Sequence, residues 1–247
     1  MRLRRCSSLR FIQLDTVGST QDEARALYRK GDRGPVWVRA DVQTKGRGRR
    51  ARQWVSERGN LYASLVLPND SDPLTSALFG FAASLAIADT LAVYNPVQPV
   101  TLKWPNDVLV GGAKISGLLI EREPEALLIG IGINLVSHPD DTPYPATHLV
   151  QEMRQSDLSG AEPMFSGAAA VLAVLSQSIT ARIDTLRTHD FDPIRKDWLA
   201  RAHHLNKIVS VNGKTGRFVD LGPDGALCLT LDDGTETRVH AGDVSFG

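Results

Sequence analysis

Two periodicities alternate along the chain. Short apolar runs rich in β-branched residues have the period of strands, and longer segments between them have the period of amphipathic helices, which together predict a mixed β-sheet with flanking helices. The predicted strands cover residues 11–14, 36–40, 61–67, 100–104, 108–110, 115–121 and 127–133. The predicted helices cover residues 20–28, 73–93, 163–186 and 193–203. This pattern places the main part of the chain in the α+β class.

Particular residues sharpen several of these assignments. Thr20-Gln-Asp-Glu23 has the spacing of a capping box, so a helix is predicted to begin there, and Gly31 is predicted to end it. The segment from Pro73 to Val93 is apolar on most faces but is interrupted by polar residues, which favours a helix buried in the core over a membrane span. Residues 137–145 hold three prolines and are predicted to form a loop.

The tail of the chain has a different pattern. From about Lys207 onward, short strands are separated by Asn212-Gly213, Asp224-Gly225 and Asp233-Gly234. Asn-Gly and Asp-Gly pairs adopt the positive φ angles of two-residue hairpins, and Gly111-Gly112 earlier in the chain is predicted to do the same. We therefore expect residues 205–247 to form a small five-stranded β-barrel, appended to a larger domain of residues 1–204.

Composition disfavours several classes of protein. The 247 residues are 42% hydrophobic, which is enough to bury a large core. Lys+Arg and Asp+Glu both total 28, so a globally basic nucleic-acid binder is disfavoured. Cys6 and Cys228 have neither metal-ligand spacing nor a disulfide framework, which fits a reducing cytosol. The basic N-terminus lacks the apolar run of a signal peptide, so we expect a cytoplasmic protein without membrane contact.

Positive charge concentrates in Gly46-Arg-Gly-Arg-Arg-Ala-Arg52, which follows Gln43 and Lys45. Five of the eight residues 45–52 are basic, and the glycines allow the backbone to approach a ligand closely. Guanidinium groups bind phosphate and carboxylate through two parallel hydrogen bonds. The segment therefore suits a nucleotide polyphosphate or an acyl phosphate, although no Walker-type Gly-Lys-Ser/Thr sequence is present. The alternative is a solvated basic loop or a loose nucleic-acid contact.

Three further segments place polar or small residues at strand ends. Lys103-Trp-Pro-Asn-Asp107 puts a polar turn at the rim of the predicted sheet, a common place for ligands. Lys114 begins the strand that ends at Glu121 and brings a positive charge to the sheet edge, while Gly117 allows close backbone approach. Gly130-Ile-Gly-Ile-Asn134 fits tight packing as well as ligand approach. Taken singly, these segments are equally well explained by a turn, a solvated lysine and a packed strand.

Taken in order, the segments closely resemble the biotin protein ligases. The motifs are Ser19-Thr20, Gln43…Gly46-Arg-Gly-Arg-Arg50, Gly59-Asn-Leu-Tyr62, Lys103-Trp-Pro-Asn-Asp107, Lys114-x-Ser-Gly117 and Gly130-Ile-Gly-Ile-Asn134. The resemblance runs from about residue 11 to the C-terminus and implies a class II synthetase-like catalytic domain, shared by biotin and lipoate ligases, followed by a small SH3-like β-barrel. That family uses biotin, ATP and Mg²⁺ to form biotinyl-AMP. It then biotinylates a lysine of the biotin carboxyl carrier protein of acetyl-CoA carboxylase or a related carboxylase.

The resemblance also implies roles for residues of this chain. The implied catalytic residues are Arg49, Lys114 and Asp107. The implied biotin-binding residues are Ser19, Thr20, Gln43, Gly46, Arg47, Arg49, Lys114 and Gly117. The implied ATP- or adenylate-binding residues are Arg47, Arg49, Arg50, Trp54, Lys103, Asn106, Lys114 and Asn134. Asp107 also matches a residue that handles the metal or positions the acceptor lysine. Attack of a carboxylate on a phosphate brings two anions together, so positive charge and positioning are expected to supply most of the catalysis.

The chain departs from the family pattern at several positions. Ala51 stands where the motif usually has a third glycine, which predicts a less flexible loop. Gly18 and Gln21 flank Ser19-Thr20 where Asp and Asn are frequent. Repressor members of the family carry a winged-helix domain before the Ser-Thr motif, which begins here at residue 19. The sequence therefore predicts a ligase without specific DNA binding, and it leaves a homodimer open.

Two other functions are compatible with parts of this sequence. A lipoate or octanoate ligase shares the fold and the Lys-x-Ser-Gly strand, but it would be expected to carry an Arg-Arg-x-Ser-Gly-Gly-Gly loop instead of Gly46-Arg-Gly-Arg-Arg50. A catalytically silent nucleotide- or nucleic-acid-binding protein would use the arginine loop alone. The joint presence of Lys114, Arg49 and Asp107 argues against a silent site, and the zero net charge argues against nucleic acid.

Overall fold

Seven strands form one mixed sheet in the computed structural model, which describes residues 9–69, 72–153 and 165–245. The strands are β1 (Arg10–Val17), β2 (Val36–Gln43), β3 (Leu61–Pro68), β4 (Val100–Lys103), β5 (Asp107–Val110), β6 (Ala113–Glu123) and β7 (Ala126–Ile133). Their order is β1-β2-β3-β7-β6-β5-β4, with β1 and β2 parallel and the other neighbours antiparallel. Every predicted strand is confirmed, and most are longer than predicted by a few residues.

Helices cover both faces of this sheet. They are α1 (Thr20–Arg29), α2 (Pro73–Ala92), α3 (Leu149–Glu152), α4 (Ala168–His189) and α5 (Asp192–Ala200). Helix α1 connects β1 to β2 and packs Ala24 and Tyr28 against one face. Helices α2 and α4 cover the other face, and α5 packs on both of them. The sheet therefore separates two apolar cores, as the predicted α+β class requires.

Strand β7 shows how the two faces differ. Its odd-numbered residues, from Leu127 to Ile133, belong to the large core beneath α2 and α4. Ala126 and Leu128 belong to the smaller core beneath α1. Because side chains alternate along a strand, Gly130 and Gly132 fall on the α1 face. That face of the sheet therefore has no side chains at these two positions of the strand.

The beginning of α1 corrects the predicted capping box. The N-cap is Ser19, whose Oγ accepts a hydrogen bond from the backbone N–H of Gln21 at 3.2 Å. Thr20 is already the first helical residue, so Glu23 is not at the position that a capping box requires. The hydroxyl of Thr20 is thereby left for contacts with the sheet. The helix ends as predicted, since Gly31 follows the C-cap with φ +97°.

The other helices lie where predicted and differ at their ends. Within α2, Thr75–Ala92 is long and apolar enough to cross a membrane by length and composition, although 78% of this window is buried inside the fold, as in the core helix of a soluble protein. Helix α4 begins at Ala168, and residues 163 and 164 of the predicted helix lie outside the described residues. Helix α5 ends at Ala200 instead of residue 203 because the chain turns to form a bridge between Ala202 and Leu102.

The tail forms a separate antiparallel sheet. Its strands are β8 (Ile208–Val211), β9 (Lys214–Leu221), β10 (Leu227–Thr230) and β11 (Glu236–Val239), in the order β11-β10-β9-β8. The predicted SH3-like unit is confirmed, but the predicted five strands are wrong. Within residues 205–245, the fifth strand is reduced to a single bridge between Ser245 and Ser210. That bridge holds the last described residues against β8.

Hairpin lengths in the tail also differ from prediction. Asn212-Gly213 joins β8 to β9 directly, with φ +50° and +77°, and Gly111-Gly112 likewise joins β5 to β6 with φ +57° and +85°. Asp224-Gly225 and Asp233-Gly234 instead lie in longer loops, residues 222–226 and 231–235. In both loops the aspartate side chain accepts a hydrogen bond from the backbone N–H two residues on, which stabilises a wider turn.

The tail packs on the main domain through the loop that contains Gly225. With φ +78°, Gly225 approaches α2 so closely that a Cβ there would lie 2.5 Å from Cε2 of Phe81. Trp104, at the end of β4, donates its indole N–H to the Gly225 carbonyl at 3.1 Å. Both aromatic rings are buried. This loop therefore fixes the tail sheet directly beside the Trp-Pro-Asn-Asp turn.

Asp89 of α2 connects three helical segments by ion pairing. Its carboxylate accepts hydrogen bonds from Arg182 of α4 at 2.7 Å and from Arg201, just after α5, at 2.6 Å. Burial alone raises the pKa of Asp89, but the hydrogen bonds from the two arginines outweigh burial and hold that pKa below its ordinary value. The stabilisation is therefore present above about pH 4 and is lost as the pH falls through the lowered pKa.

We expect Asp89→Asn to lower the free energy of unfolding by about 2 kcal/mol near neutral pH, because two guanidinium groups lose a partly buried counter-charge. Asp197→Asn is the matched control, since Asp197 also pairs with Arg182 but its side chain is 49% exposed, against 27% for Asp89. The control should lose less than about 1 kcal/mol. Urea unfolding measures both variants. The deficit of Asp89→Asn should shrink as the pH is lowered, and a deficit independent of pH would contradict this account.

Candidate active site

A cleft lies on the α1 face of the sheet, beside the two glycines of β7. It encloses about 740 Å³, including space open to solvent. Its walls come from the start of α1, the end of β2, the segment between β2 and β3, strands β5 to β7, the loop before α3 and the tail. Ten of the residues to which the resemblance assigns a role line it: Ser19, Thr20, Gln43, Arg47, Arg49, Trp54, Asn106, Asp107, Lys114 and Gly117.

The glycines of β7 make room for this cleft. A Cβ on Gly132 would lie 2.5 Å from Cε2 of Trp54, and a Cβ on Gly130 would lie 2.7 Å from Oε1 of Gln21. Trp54 therefore lies directly on the bare strand and forms one wall. Its indole N–H and the Oε1 of Gln21 are buried without a hydrogen-bond partner in the described structure. Polar groups of this kind are normally satisfied by a ligand or an ordered water.

A hydrogen-bond network joins the start of α1 to the sheet. Oε1 of Gln43 accepts hydrogen bonds from the backbone N–H of Thr20 at 2.8 Å and from its hydroxyl at 3.1 Å. The same hydroxyl lies 2.9 Å from Oγ of Ser64 on β3, and Nε2 of Gln43 donates to Oγ of Ser56 at 3.0 Å. The network fixes several donors and acceptors at the cleft wall. Such a wall suits a small polar head group.

The basic segment folds back on itself between β2 and β3. The carbonyl of Gly46 accepts a hydrogen bond from the Trp54 N–H at 3.0 Å. A Cβ on Gly46 would lie 2.5 Å from both the Trp54 carbonyl oxygen and Oγ of Ser56, so only glycine fits at the base of this loop. At the tip, Arg50 and Ala51 have φ +55° and +57°. This left-handed conformation costs a residue with a side chain about 1 kcal/mol, and a glycine at position 51 would avoid that cost.

Arg49 extends from this loop into the cleft. Its Nη1 donates hydrogen bonds to Oδ1 of Asn106 at 3.2 Å and to the carbonyl of Gly242 at 3.3 Å, and lies 3.5 Å from Oδ1 of Asp243. Burial lowers the pKa of Arg49, and the Asp243 carboxylate opposes part of that shift. Arg49 is thus a cation held partly out of water, which strengthens its attraction for an anionic ligand.

Arg47 pairs with acidic residues of neighbouring elements. Its guanidinium donates two hydrogen bonds to Asp22 of α1, both of 2.7 Å, and lies 3.6 Å from Glu121 of β6. The hydrogen bonds to Asp22 are the main cause of the raised pKa of Arg47. Because the Asp22 side chain is 53% exposed, a phosphate or carboxylate can compete for this guanidinium.

Lys114 and Asp107 form a partly buried ion pair. Nζ lies 2.7 Å from Oδ1, and the two side chains are 14% and 19% exposed. The ammonium also lies 5.5 Å from the ring centre of Trp54 and 5.1 Å from that of Tyr144, within cation–π range. The backbone N–H and carbonyl of Lys114 both bond to residues 145–147. The loop around Tyr144 therefore fixes both the backbone and the charge of Lys114.

Four residues that the resemblance assigns to ligand binding do not line the cleft: Gly46, Arg50, Lys103 and Asn134. Gly46 shapes the base of the loop, and the Arg50 side chain is 57% exposed and pairs with the tail. Lys103 lies opposite Asp107 in the β4–β5 pair, and burial lowers its pKa. Asn134 is 5% exposed, and its amide donates at 3.0 Å to a carbonyl of the loop before α3.

Several lining residues were missing from the predicted site, and among them are Gln21, Ser64, Tyr144 and Asp243. Ser64 had a usable signal, because it is a polar residue inside an otherwise apolar strand. Tyr144 lies in a proline-rich loop, and Asp243 lies in the tail, far along the chain from the other site residues. Nothing in their local sequence shows which way these segments turn. Their place in the cleft follows from tertiary contacts alone.

Known proteins are similar to this chain over nearly its whole length. A sequence profile described as "Biotin/lipoate A/B protein ligase family" matches residues 21–135, and one described as "Biotin protein ligase C terminal domain" matches residues 204–247. A biotin–[acetyl-CoA-carboxylase] ligase from Paracoccus denitrificans is 34% identical over 95% of this chain and 99% of that protein. The protein of the same name from Mycobacterium tuberculosis is 32% identical over 94% and 88%.

A solved structure extends this comparison to the whole fold. The biotin protein ligase from Aquifex aeolicus, in complex with biotin and ATP, has a TM-score of 0.79 and 27% identity, covering 96% of this chain and 97% of that one. The first profile places the part of the chain that builds most of the mixed sheet in the class of biotin and lipoate protein ligases, and the second assigns the tail to the biotin protein ligases. Within that class, this chain belongs to the biotin protein ligase family. The predicted family and fold class are confirmed.

Tyr144 allows a test of how Lys114 is held. We expect Tyr144→Leu to slow adenylate formation about fivefold, because one cation–π contact to the ammonium is lost. Tyr144→Phe keeps the ring and should stay within about twofold of the wild type. Pyrophosphate release with saturating biotin and ATP measures both variants. Equal losses in the two variants would show that the ring's contact with the ammonium is not what matters.

Proposed function

We propose that this chain is an ATP-dependent ligase that forms biotinyl-5′-AMP and then transfers biotin to a lysine of a biotin carboxyl carrier protein. The observation that carries the proposal is the convergence of Arg49 and Lys114, from distant parts of the sequence, on one cleft. Relatives that match nearly the whole chain are named for ligation of biotin to acetyl-CoA carboxylase. The acceptor assigned here is the carrier protein of that enzyme or of a related carboxylase.

The first step needs positive charge at the meeting point of two anions. A carboxylate oxygen of biotin attacks the α-phosphorus of ATP, and pyrophosphate leaves with the broken P–O bond. Cations that are already in place stabilise this transition state without reorganisation. We assign that task to Lys114, whose ammonium is held between two aromatic rings, and to Arg49, which is held by Asn106.

The head group and the carboxylate of biotin need different surroundings. A cyclic urea presents both N–H donors and a carbonyl acceptor, and the network of Thr20 and Gln43 offers matching groups beside Ser19. We therefore assign the head group to these three residues. Arg47 and Lys114 are assigned to the carboxylate, which binds guanidinium and ammonium groups strongly.

The second step needs a base near the incoming amine. The acceptor lysine attacks the acyl carbon of the adenylate, the bond to the phosphate oxygen breaks, and AMP leaves. Asp107 lines the cleft 2.7 Å from Lys114, where both steps are assigned. We assign Asp107 to positioning the amine and accepting its proton.

Mg²⁺ is expected to arrive with ATP. Among the described residues, no group of three or more His, Cys, Asp or Glu side chains could hold a metal ion. The carboxylates of the cleft, Asp107 and Asp243, are both ion-paired. This set fits Mg²⁺ held mainly by phosphate oxygens, with Asp107 as the protein ligand that the resemblance suggests. When bound, the ion neutralises charge on the leaving pyrophosphate.

The proposed enzyme has two domains and is expected in the cytoplasm. We assign residues 1–204 to catalysis and residues 205–247 to the C-terminal domain, supported by the profile that begins at residue 204. A cytoplasmic enzyme that does not bind DNA specifically is expected, in keeping with a net charge of zero. A homodimer stays a prediction.

Direct labelling tests this function. The protein, ATP, Mg²⁺, biotin and a biotin-carrier domain are mixed, and the expected product is the carrier biotinylated on one lysine. A carrier with that lysine replaced by arginine should stay unlabelled. Lipoate and octanoate in place of biotin should give no labelling, whereas labelling with either and not with biotin would support the rival ligase. No labelling with any of the three acids would overturn the proposal.

Lys114 provides a sharper test of the assigned chemistry. We expect Lys114→Ala to cut adenylate formation by at least about 100-fold, the scale of losing one charge-stabilising group. Lys196→Ala, at an exposed position of α5, is the matched control and should be unaffected. Pyrophosphate release is measured for both, and thermal unfolding checks that they fold. Near-normal pyrophosphate release by Lys114→Ala would remove Lys114 from the reaction.

A further inference from the structure

The tail carries one acidic side chain to the mouth of the cleft. Asp243 lies between β11 and the Ser245–Ser210 bridge, and the carbonyl of Ala241 accepts a hydrogen bond from the Asn212 amide at 2.6 Å. Gly242 packs so tightly that a Cβ there would lie 2.5 Å from Cγ2 of Val211. The tail sheet therefore holds Asp243 from both sides.

The Asp243 carboxylate contacts three arginines of the basic loop. Oδ1 lies 3.5 Å from Nη1 of Arg49, and Oδ2 lies 3.3 Å from Nη1 of Arg50. Oδ2 also accepts a hydrogen bond from Nη2 of Arg52. The Gly242 carbonyl adds a further contact to Arg49. A single carboxylate from the tail thus gathers the guanidinium groups at the tip of the loop.

This carboxylate lies where a phosphate would compete with it. Asp243 and Arg49 both line the cleft, so a phosphate that binds Arg49 comes close to the Asp243 carboxylate. Two adjacent anions repel each other, and one guanidinium group cannot donate its full set of hydrogen bonds to both of them. The Asp243 side chain is 39% exposed, so it can turn towards water when an anion replaces it.

We propose that Asp243 is a positioning residue whose carboxylate pairs with the arginines of the basic loop in place of a phosphate. In the nucleotide-free enzyme these ion pairs with Arg49, Arg50 and Arg52 order the loop. When the nucleotide binds, its phosphates replace the Asp243 carboxylate as the partner of these arginines. Asp243 therefore keeps the loop folded while weakening nucleotide binding. This inference rests on the proposed function, because it takes ATP as the ligand of the cleft.

The charge of Asp243 can be removed without changing its shape. We expect Asp243→Asn to bind α,β-methylene-ATP about threefold to tenfold more tightly than the wild type, because a competing anion is gone. This analogue carries carbon in place of the oxygen that leaves with pyrophosphate, so binding is measured without reaction. The dissociation constant for biotin alone should not change. In the free enzyme, trypsin should cleave the loop of Asp243→Asn faster, because its order is lost. Higher salt should narrow the difference in nucleotide binding.

Two variants separate this role from a general structural one. Asp220→Asn removes a carboxylate of the same sheet that pairs with Arg195 and is 41% exposed, and it should bind the nucleotide analogue like the wild type. Asp243→Glu keeps the charge and should stay close to the wild type. Unchanged or weaker binding of the nucleotide analogue by Asp243→Asn would overturn the inference. If the wild type itself failed to bind the analogue and to label the carrier, the proposed function would fail instead.

Discussion

Strand β7 packs its odd-numbered side chains against α2 and α4 and has Gly130 and Gly132 on its other face. Alternate residues of a strand point in opposite directions, so one short stretch both fills the large core and leaves a hollow behind it. Trp54 and Gln21 lie in direct contact with this bare surface. A side chain at Gly130 would push Gln21 away, and a side chain at Gly132 would push Trp54 away. In either case the cleft would lose part of its lining.

The cationic side chains of the cleft lie next to carboxylates of the protein itself. Arg47 pairs with Asp22, Lys114 pairs with Asp107, and Arg49 lies beside Asp243. An anion that entered the cleft would therefore have to exchange with a carboxylate of the protein for each of these cations. Each exchange costs little where the protein carboxylate is exposed and more where it is buried.

Local sequence patterns predicted the elements whose conformation is determined by neighbouring residues in the chain. The buried helix α2 and the Gly111-Gly112 hairpin follow from periodicity and φ preferences, and the contiguous motifs identified Arg49 and Lys114. The helix cap was misplaced because Ser19 and Thr20 can both cap, and only the contact of Thr20 with the sheet decides between them. Tyr144 escaped prediction for a similar reason, since a bridge to Lys114 sets the path of its loop. Long-range contacts leave no periodic signal.

The hydrogen bond between Trp104 and Gly225 limits which C-terminal domains could replace the tail of this chain. Trp104 precedes by three residues the carboxylate assigned to the acceptor amine, and its indole is tied to a carbonyl of the tail. A tail taken from another ligase with a bulkier residue at position 225 would collide with Phe81. In such a chimaera the turn that ends at Asp107 would be displaced. The two sheets are therefore matched parts, and a swap would have to carry the complementary surface of α2 along with it.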